Sequence, residues 1–527
     1  MSDRLCGVLL HPTALPGTPV CGTFGSHAHA LIDLLADQGI AAWQLLPLAP
    51  TDGTGSPYSS PSGSALNPWL LDADDLVTQG FLEPGDLEAL PSDGSEPMAE
   101  SSAGAPGPAP LDLSLAPARA AALGRLLVQR WASQPLDQKQ RFGRWRRQQR
   151  SWLRDHCRFM VLRRLQEGQP WWNWPGPLAR RHSRALRTLD QQHGPALLEE
   201  GLLQWHLQRQ WDGLQRHAHR RGVQLIGDLP FYVAHDSADV WRHRSLFSLQ
   251  FDGSLAQQSG VPPDYFSATG QLWGTPVYRW SAHWLGGFRW WLRRLGRQLQ
   301  LFDRLRLDHF RALQAYWSIP GSDTTAQNGT WQPSPGWPLL ALLWLDCWRR
   351  GGLLPDGRLP LIAEDLGVIT PAVEALRDSF ALPGMKILQF AFDGNADNPY
   401  LPANYRGNRW VVYTGTHDNA TSRSWWDGLD QGGRDRVRAV VGADVTAPGW
   451  QLLEAALATE AELVVVPLQD LLELDDRARF NTPGTTGGNW CWRLNRSISD
   501  LKGPLLGFGR LADRYGRSSP VGLGGAG

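Results

Sequence analysis

Short runs of apolar residues, each closed by a polar or Gly/Pro cluster, recur along the chain. Eight of them, at 6–10, 42–46, 223–226, 305–307, 361–363, 387–392, 410–413 and 463–466, are continuous rather than alternating. That is the pattern of strands covered on both faces. Between them, apolar residues fall near a 3.6-residue period, as in Leu198, Leu202, Trp205 and Leu214 ahead of Gly222. Strands alternating with helices call for a parallel sheet, and eight buried strands favour a closed (β/α)8 TIM barrel over an open doubly wound sheet. No GxGxxG or GxxxxGK[ST] follows any of the runs, which removes the usual nucleotide-binding reason for an open sheet.

The repeat is uneven. About 175 residues separate the second run from the third, so a large insertion is expected over 50–221. Its stretch 91–117 is rich in Pro, Ser, Ala and Gly and reads as a surface loop. From about 118 the chain turns Arg-, Gln- and Trp-rich with helical periodicity, the mark of a mainly helical subdomain. Its basic face, including Arg144, Arg146, Arg147 and Arg150, reads as solvated helix surface. A second insertion is expected over 229–301. Beyond the eighth run no room remains for a C-terminal β-sandwich domain, and 516–527 reads as a flexible tail. The expectation is one α/β catalytic barrel spanning 1–527 with large, mainly helical insertions.

Composition narrows the function. Lys plus Arg number 51 and so do Asp plus Glu, giving zero net charge. No positive excess is available for a phosphate backbone or an anionic membrane, so neither nucleic acid nor membrane is an expected partner. An apolar content of 42% fits neither a disordered nor a membrane-embedded chain. Residues 1–10 hold no signal-peptide core and no apolar run approaches the roughly 20 residues of a membrane span, so a cytoplasmic protein is expected. Cys6, Cys21, Cys157, Cys347 and Cys491 show no CxxC spacing, which points to reduced thiols without a disulfide framework or zinc site. The 27 Trp stand out. Only Lys139, Lys386 and Lys502 are lysines, so a GC-rich coding bias accounts for much of the Arg and raises Trp with it. Stacking on carbohydrate or bases is the functional alternative.

Catalytic groups of a TIM barrel sit where its strands end. Just past the third, fourth, fifth and seventh runs stand Asp228, Asp308 with His309, Glu364 with Asp365, and His417 with Asp418. A ring of carboxylates at one barrel mouth suits glycosidic chemistry, which needs a proton for the leaving oxygen and a partner for an oxocarbenium-like carbon. Arg306 precedes Asp308 by two positions, so both side chains leave a strand on the same side, and the cation favours the ionised carboxylate of a nucleophile. Glu364 among other carboxylates is expected to hold its proton, as a general acid must. Each piece also has a plain structural account: Asp228 as a turn former, Arg306 with Asp308 as a structural ion pair, the His/Asp pairs as metal ligands.

The ordered motifs resemble one family. Gly55-Ser56-Pro57-Tyr58, Gly227-Asp228-Leu229-Pro230-Phe231-Tyr232-Val233, Arg306-Leu307-Asp308-His309-Phe310-Arg311, Ile362-Ala363-Glu364-Asp365-Leu366-Gly367, Thr414-Gly415-Thr416-His417-Asp418-Asn419 and Asn481-Thr482-Pro483-Gly484-Thr485 cover nearly the whole chain. They are similar to those of the 4-α-glucanotransferases, or amylomaltases, of glycoside hydrolase family 77 in the α-amylase clan. Pro262-Pro263-Asp264-Tyr265-Phe266 with Gln271-Leu272-Trp273-Gly274 looks like that family's acceptor-side loop. The chain departs from the family pattern at His235, Ala312 and Ala420, none of them a catalytic position.

The resemblance implies roles residue by residue. Asp308 would be the nucleophile, Glu364 the general acid and base, and Asp418 a stabiliser of the transition state. His417 and Arg306 would bind the sugar being cleaved, Tyr58 would stack beneath it, Asp228 would support these groups and Asn481 would line the donor side. Ser56, Asp264, Gln271, Trp273 and His309 complete the implied substrate-binding set. Implied partners are α-1,4-glucans, with no metal, no organic cofactor, and a monomeric or weakly dimeric chain. An α-glucan hydrolase would share the same carboxylates, and a glucan-binding barrel without activity is the reading outside enzymes.

Overall fold

The computed structural model describes residues 4–16, 20–92, 110–263, 267–442, 444–485 and 487–518. Eight parallel strands, β1 (Leu5–Leu9), β2 (Ala42–Gln44), β3 (Gln224–Leu229), β6 (Arg304–Leu307), β9 (Leu361–Ala363), β10 (Gly384–Ile387), β11 (Trp410–Tyr413) and β12 (Leu463–Pro467), form one sheet. Neighbours in it run β10-β11-β12-β1-β2-β3-β6-β9. The ring is drawn together between β9 and β10, where the Ala363 amide donates to the Pro383 carbonyl at 2.9 Å and the Met385 amide to Asp365 Oδ1 at 2.8 Å. Leu9, Ala42, Ile226, Ile362, Met385 and Val411, from six different strands, pack together in the barrel interior. The alternate residues of the same strands face the helices, as Val8, Leu225, Leu305 and Val412 do in the main core. Burial on both faces is why these strands read as continuous apolar runs.

The sixth barrel strand differs from the 387–392 expected from apolar content. The ladder with β11 pairs Gly384 to Trp410 through Ile387 to Tyr413, and Leu388–Phe390 is already a 3₁₀ turn. Leu388, Ala391 and Phe392 are apolar because they enter the main core after the strand has ended. The strand itself uses residues with weak strand character. Gly384 is required there because a Cβ would lie 2.5 Å from Asp365 Oδ2 and 2.8 Å from the Trp410 ring, and Lys386 lays its ammonium over Trp410 at 4.1 Å.

Between β2 and β3 the chain forms the helices Leu115–Trp131, Leu136–Gln148, Leu153–Leu165, Ser183–Gln192 and Gly194–Arg220. Residues 93–109, most of the expected surface loop, lie outside the described residues. Arg144, Arg146, Arg147 and Arg150 are exposed, whereas Trp171 and Trp174 are buried and Trp172 stacks on His235 at 3.8 Å. His235, one of the departures from the family pattern, is thus held by that ring and by the Gly253 carbonyl, 2.8 Å from its Nε2.

A second, antiparallel sheet has no counterpart in the apolar pattern. Its strands β4 (Gln257–Val261), β5 (Gln271–Pro276), β7 (Ala315–Pro320) and β8 (Thr330–Pro333) are ordered β5-β4-β7-β8. Half of it comes from the segment after β3 and half from the segment after β6, so the insertion expected over 229–301 is only one of its two sources. Every residue of β8 is exposed, which leaves no alternation to read.

After Pro467 the described residues form only helices and 3₁₀ turns, the last helix being Lys502–Arg514. The flexible tail expected from 516 does not begin there. Arg517 is fully buried and donates to the carbonyls of Leu457, Thr459 and Ala461 at 2.8, 2.5 and 2.7 Å. Residues 519–527 lie outside the described residues. The five cysteines are free. Among the described residues, no helix is long and apolar enough to cross a membrane and no group of three His, Cys, Asp or Glu could hold a metal ion.

Candidate active site

The end of β6 organises the site. Arg306 is buried, and its guanidinium forks between two carboxylates, Nη1 donating to Asp228 Oδ2 at 2.5 Å and Nη2 to Asp308 Oδ1 at 3.0 Å. The Tyr58 hydroxyl donates to the same Asp228 oxygen at 2.7 Å. Asp228 lies within β3, one residue before its end, with a side chain fully shielded from solvent. Burial raises its proton affinity and Arg306 opposes that. The Asp308 side chain is 31% exposed, so Arg306 carries contact from a buried carboxylate to an open one.

The next residue turns the chain. His309 is left-handed, with φ 53°, a conformation that costs a non-glycine residue roughly 1–3 kcal/mol. The turn aims its amide at Glu364 Oε2, 2.6 Å away, while the Leu366 amide donates to Oε1 at 3.2 Å. Glu364 is pushed up to about 8, first by burial and then by Asp308, with Arg306 opposing. The expectation of a raised acid holds, but burial ranks ahead of the neighbouring carboxylates as its cause. Burial also brings the His309 imidazole down to about 4, leaving it neutral at pH 7.

Asp418 is fixed from the other side of the mouth. Asn481 Nδ2 donates to Asp418 Oδ1 at 2.6 Å, His417 Nε2 lies 3.4 Å from Oδ2, and Arg479 Nη2 donates to the Asp418 carbonyl at 2.5 Å. The Tyr58 ring stacks on His417 with centroids 5.3 Å apart and planes 13° from parallel. Trp490 tilts against both rings at 5.9 and 6.0 Å.

These groups border a cleft of about 630 Å³, within the range of small-molecule sites. Ser56, Tyr58, Trp273, Asp308, His309, Asp418 and Asn481 line it. Asp228, Glu364, Arg306 and His417 are bonded or stacked to residues of that lining without belonging to it, Gln271 is exposed beside Trp273, and Asp264 lies outside the described residues. Trp273 is 37% exposed and meets His309 edge-on at 4.9 Å, so it is not core packing. Gln271 Oε1 accepts from Trp273 Nε1 at 3.2 Å and steadies the indole. Tyr232 and Trp490 are among the lining residues that carried no assignment from sequence. Tyr232 falls inside the Gly227–Val233 motif, which was its only signal; Trp490 had none, because a left-handed backbone at φ 65° places it.

A (β/α)8 barrel with acid side chains and aromatic rings around a cleft at its mouth defines a carbohydrate-active barrel enzyme. The family model described as 4-alpha-glucanotransferase matches residues 10–499. A 4-alpha-glucanotransferase of Synechocystis sp. is 41% identical over 522 residues, covering 98% of this chain and 99% of that protein. One from Thermus thermophilus is 39% identical over 509 residues, covering 93% and 95%. Among solved structures, the amylomaltase from Streptococcus agalactiae in complex with acarbose superposes with a TM-score of 0.87 at 32% identity, covering 98% of this chain and 100% of that one. The chain belongs to the 4-alpha-glucanotransferase family, glycoside hydrolase family 77, and is a glucanotransferase enzyme.

Proposed function

We propose that the cleft moves α-1,4-glucan segments from a donor maltodextrin to the 4-hydroxyl of an acceptor glucan or glucose through a covalent enzyme intermediate. Asp308 attacks the anomeric carbon as the bond to the departing 4-oxygen breaks, and Glu364 gives that oxygen its proton. Glu364, now a carboxylate, takes the proton from the acceptor 4-hydroxyl as the acceptor oxygen attacks the same carbon and Asp308 leaves. Two inversions regenerate the α-linkage. Asp418, held by Asn481 and His417, accepts hydroxyls of the sugar that is being distorted. The observation that carries this reading is a pair of carboxyls in different settings, Glu364 raised to about 8 chiefly by desolvation and held by the His309 and Leu366 amides, and Asp308 ion-paired to Arg306.

Transfer requires that a bound acceptor outcompete water. Orientation supplies this, since well-positioned groups reach effective molarities on the order of 10⁵ M or more. Trp273, Tyr232 and Tyr58 are the rings suited to hold the sugar, and Asp264 and Ser56 are assigned to the same work. Maltotriose tests the proposal: glucose and longer maltodextrins form without a net gain of reducing ends, whereas a matching gain would mean hydrolysis. Asp308→Asn is expected to lower transfer at least about a thousandfold with unchanged melting. A folded variant that keeps its activity would refute the assignment.

A further inference from the structure

A larger cavity, about 810 Å³, opens away from the catalytic cleft and shares none of its lining residues. One wall is the helix Arg289–Gln298, and Arg289, Arg293 and Arg297 stand on it at i, i+4 and i+8. Like charges at that spacing repel along a helix. Among the described residues, none of the three has a carboxylate within 4 Å. Three acids also line the cavity, and one of them, Asp212, partly offsets the charge of Arg297. Asp155 is shared by Arg181 and Arg242, Asp212 accepts from Gln208 at 2.6 Å, and Asp239 accepts from the Gly63 amide at 3.0 Å. The cavity is therefore a concave surface with more arginines than acids, in which, among the described residues, Arg289 and Arg293 have no carboxylate within 4 Å. Its effect reaches His243, whose imidazole is brought down to about 3, first by burial and then by Arg242, Arg181, Arg293 and His283.

The remaining walls are not those of a simple ion trap. Trp152 lies under the Arg297 guanidinium at 5.2 Å, and Trp145 and Trp290 also face the space. Gln149, Gln300 and Ser151 add neutral hydrogen-bonding groups. Arginine forks match phosphate oxygens, aromatic faces match the apolar face of a sugar, and amides match its hydroxyls. We propose that this cavity is a second binding site, for a phosphorylated sugar, with Arg289, Arg293 and Arg297 on the phosphate and Trp152 on the ring. A ligand there would lie beside Arg294, which is buried and donates to the carbonyls of Pro230, Phe231 and Tyr232 behind the catalytic cleft at 2.5, 2.8 and 3.2 Å.

Calorimetric titration of the full chain with glucose 6-phosphate, inorganic phosphate, ADP and glucose tests this. Because a sugar also enters the catalytic cleft, the readout is the difference between wild type and the double variant Arg289→Ala/Arg293→Ala. Both side chains are exposed, and unchanged maltotriose transfer verifies that the variant is folded. Glucose 6-phosphate is expected to lose at least about tenfold in affinity in that variant and to bind more tightly than inorganic phosphate or ADP. Binding that ignores Arg289→Ala/Arg293→Ala overturns the site. Equal or tighter binding of inorganic phosphate or ADP overturns the sugar phosphate as its ligand.

Discussion

At the scale of single residues, Glu364 ties function to stability. In an unfolded chain this carboxyl ionises near its ordinary 4.5, while in the fold it holds its proton up to about 8. Its contribution to stability is complete below about pH 4.5, where both states are protonated. It declines as pH rises toward 8, because only the unfolded chain gains by ionising, and it is lost above that. Glu364→Gln removes this loss along with the proposed proton donor. The variant is expected to be inactive at every pH and more stable than wild type near pH 8, by on the order of 1–2 kcal/mol. Melting curves across pH 5–9 would measure it. Wild type and variant must be compared pair by pair, since buried Glu200, raised to about 7, bends both curves with the same sign. In wild-type transfer rates the corresponding sign is a loss of activity as pH rises through about 8. Such carboxyls are legible in sequence because a polar residue that ends a continuous apolar run is conspicuous. The packing of Trp490 against Tyr58 and His417 is not, because no local pattern fixes which distant ring closes over a cleft.

At the scale of elements, legibility follows burial. Strands covered on both faces, such as β12 with all five residues buried, announce themselves, and β10 is displaced by three residues because its neighbour, not its own composition, defines it. The small sheet is opaque for the opposite reason: β5 is largely exposed and owes its place to backbone pairing with β4. Yet β5 presents Trp273 to the cleft. Because that indole rests on an exposed strand, Trp273→Ala is expected to change folding stability by less than about 0.5 kcal/mol. It should instead weaken acceptor binding, lowering transfer about tenfold for the loss of a stacking contact worth roughly 1 kcal/mol or more. Water then takes a larger share of the intermediate. The check is the ratio of reducing ends gained to glucose released from maltotriose, which must rise; an unchanged ratio would remove Trp273 from the acceptor side.

At the scale of the whole molecule, the balance of 51 basic and 51 acidic residues acquires a spatial meaning. Acids gather at the barrel mouth, where the proposed reaction takes a neutral glucan, and arginines line the separate cavity and the inserted helices. A neutral substrate feels no net field, so its arrival is not electrostatically steered. The Asp228 and Asp308 carboxylates are also held by contacts too short for salt to screen, Arg306 to Asp228 at 2.5 Å and Arg306 to Asp308 at 3.0 Å, against a Debye length of about 8 Å at physiological ionic strength. Both effects predict the same result. The kcat/KM for maltotriose transfer should change by less than about twofold between low and high ionic strength. The phosphate-binding cavity should behave in the opposite way, since exposed arginines facing a charged ligand lose affinity as salt rises. Measuring transfer and glucose 6-phosphate binding across one salt series separates the two sites in a single preparation, and parallel salt dependence would mean that the anion enters the catalytic cleft instead.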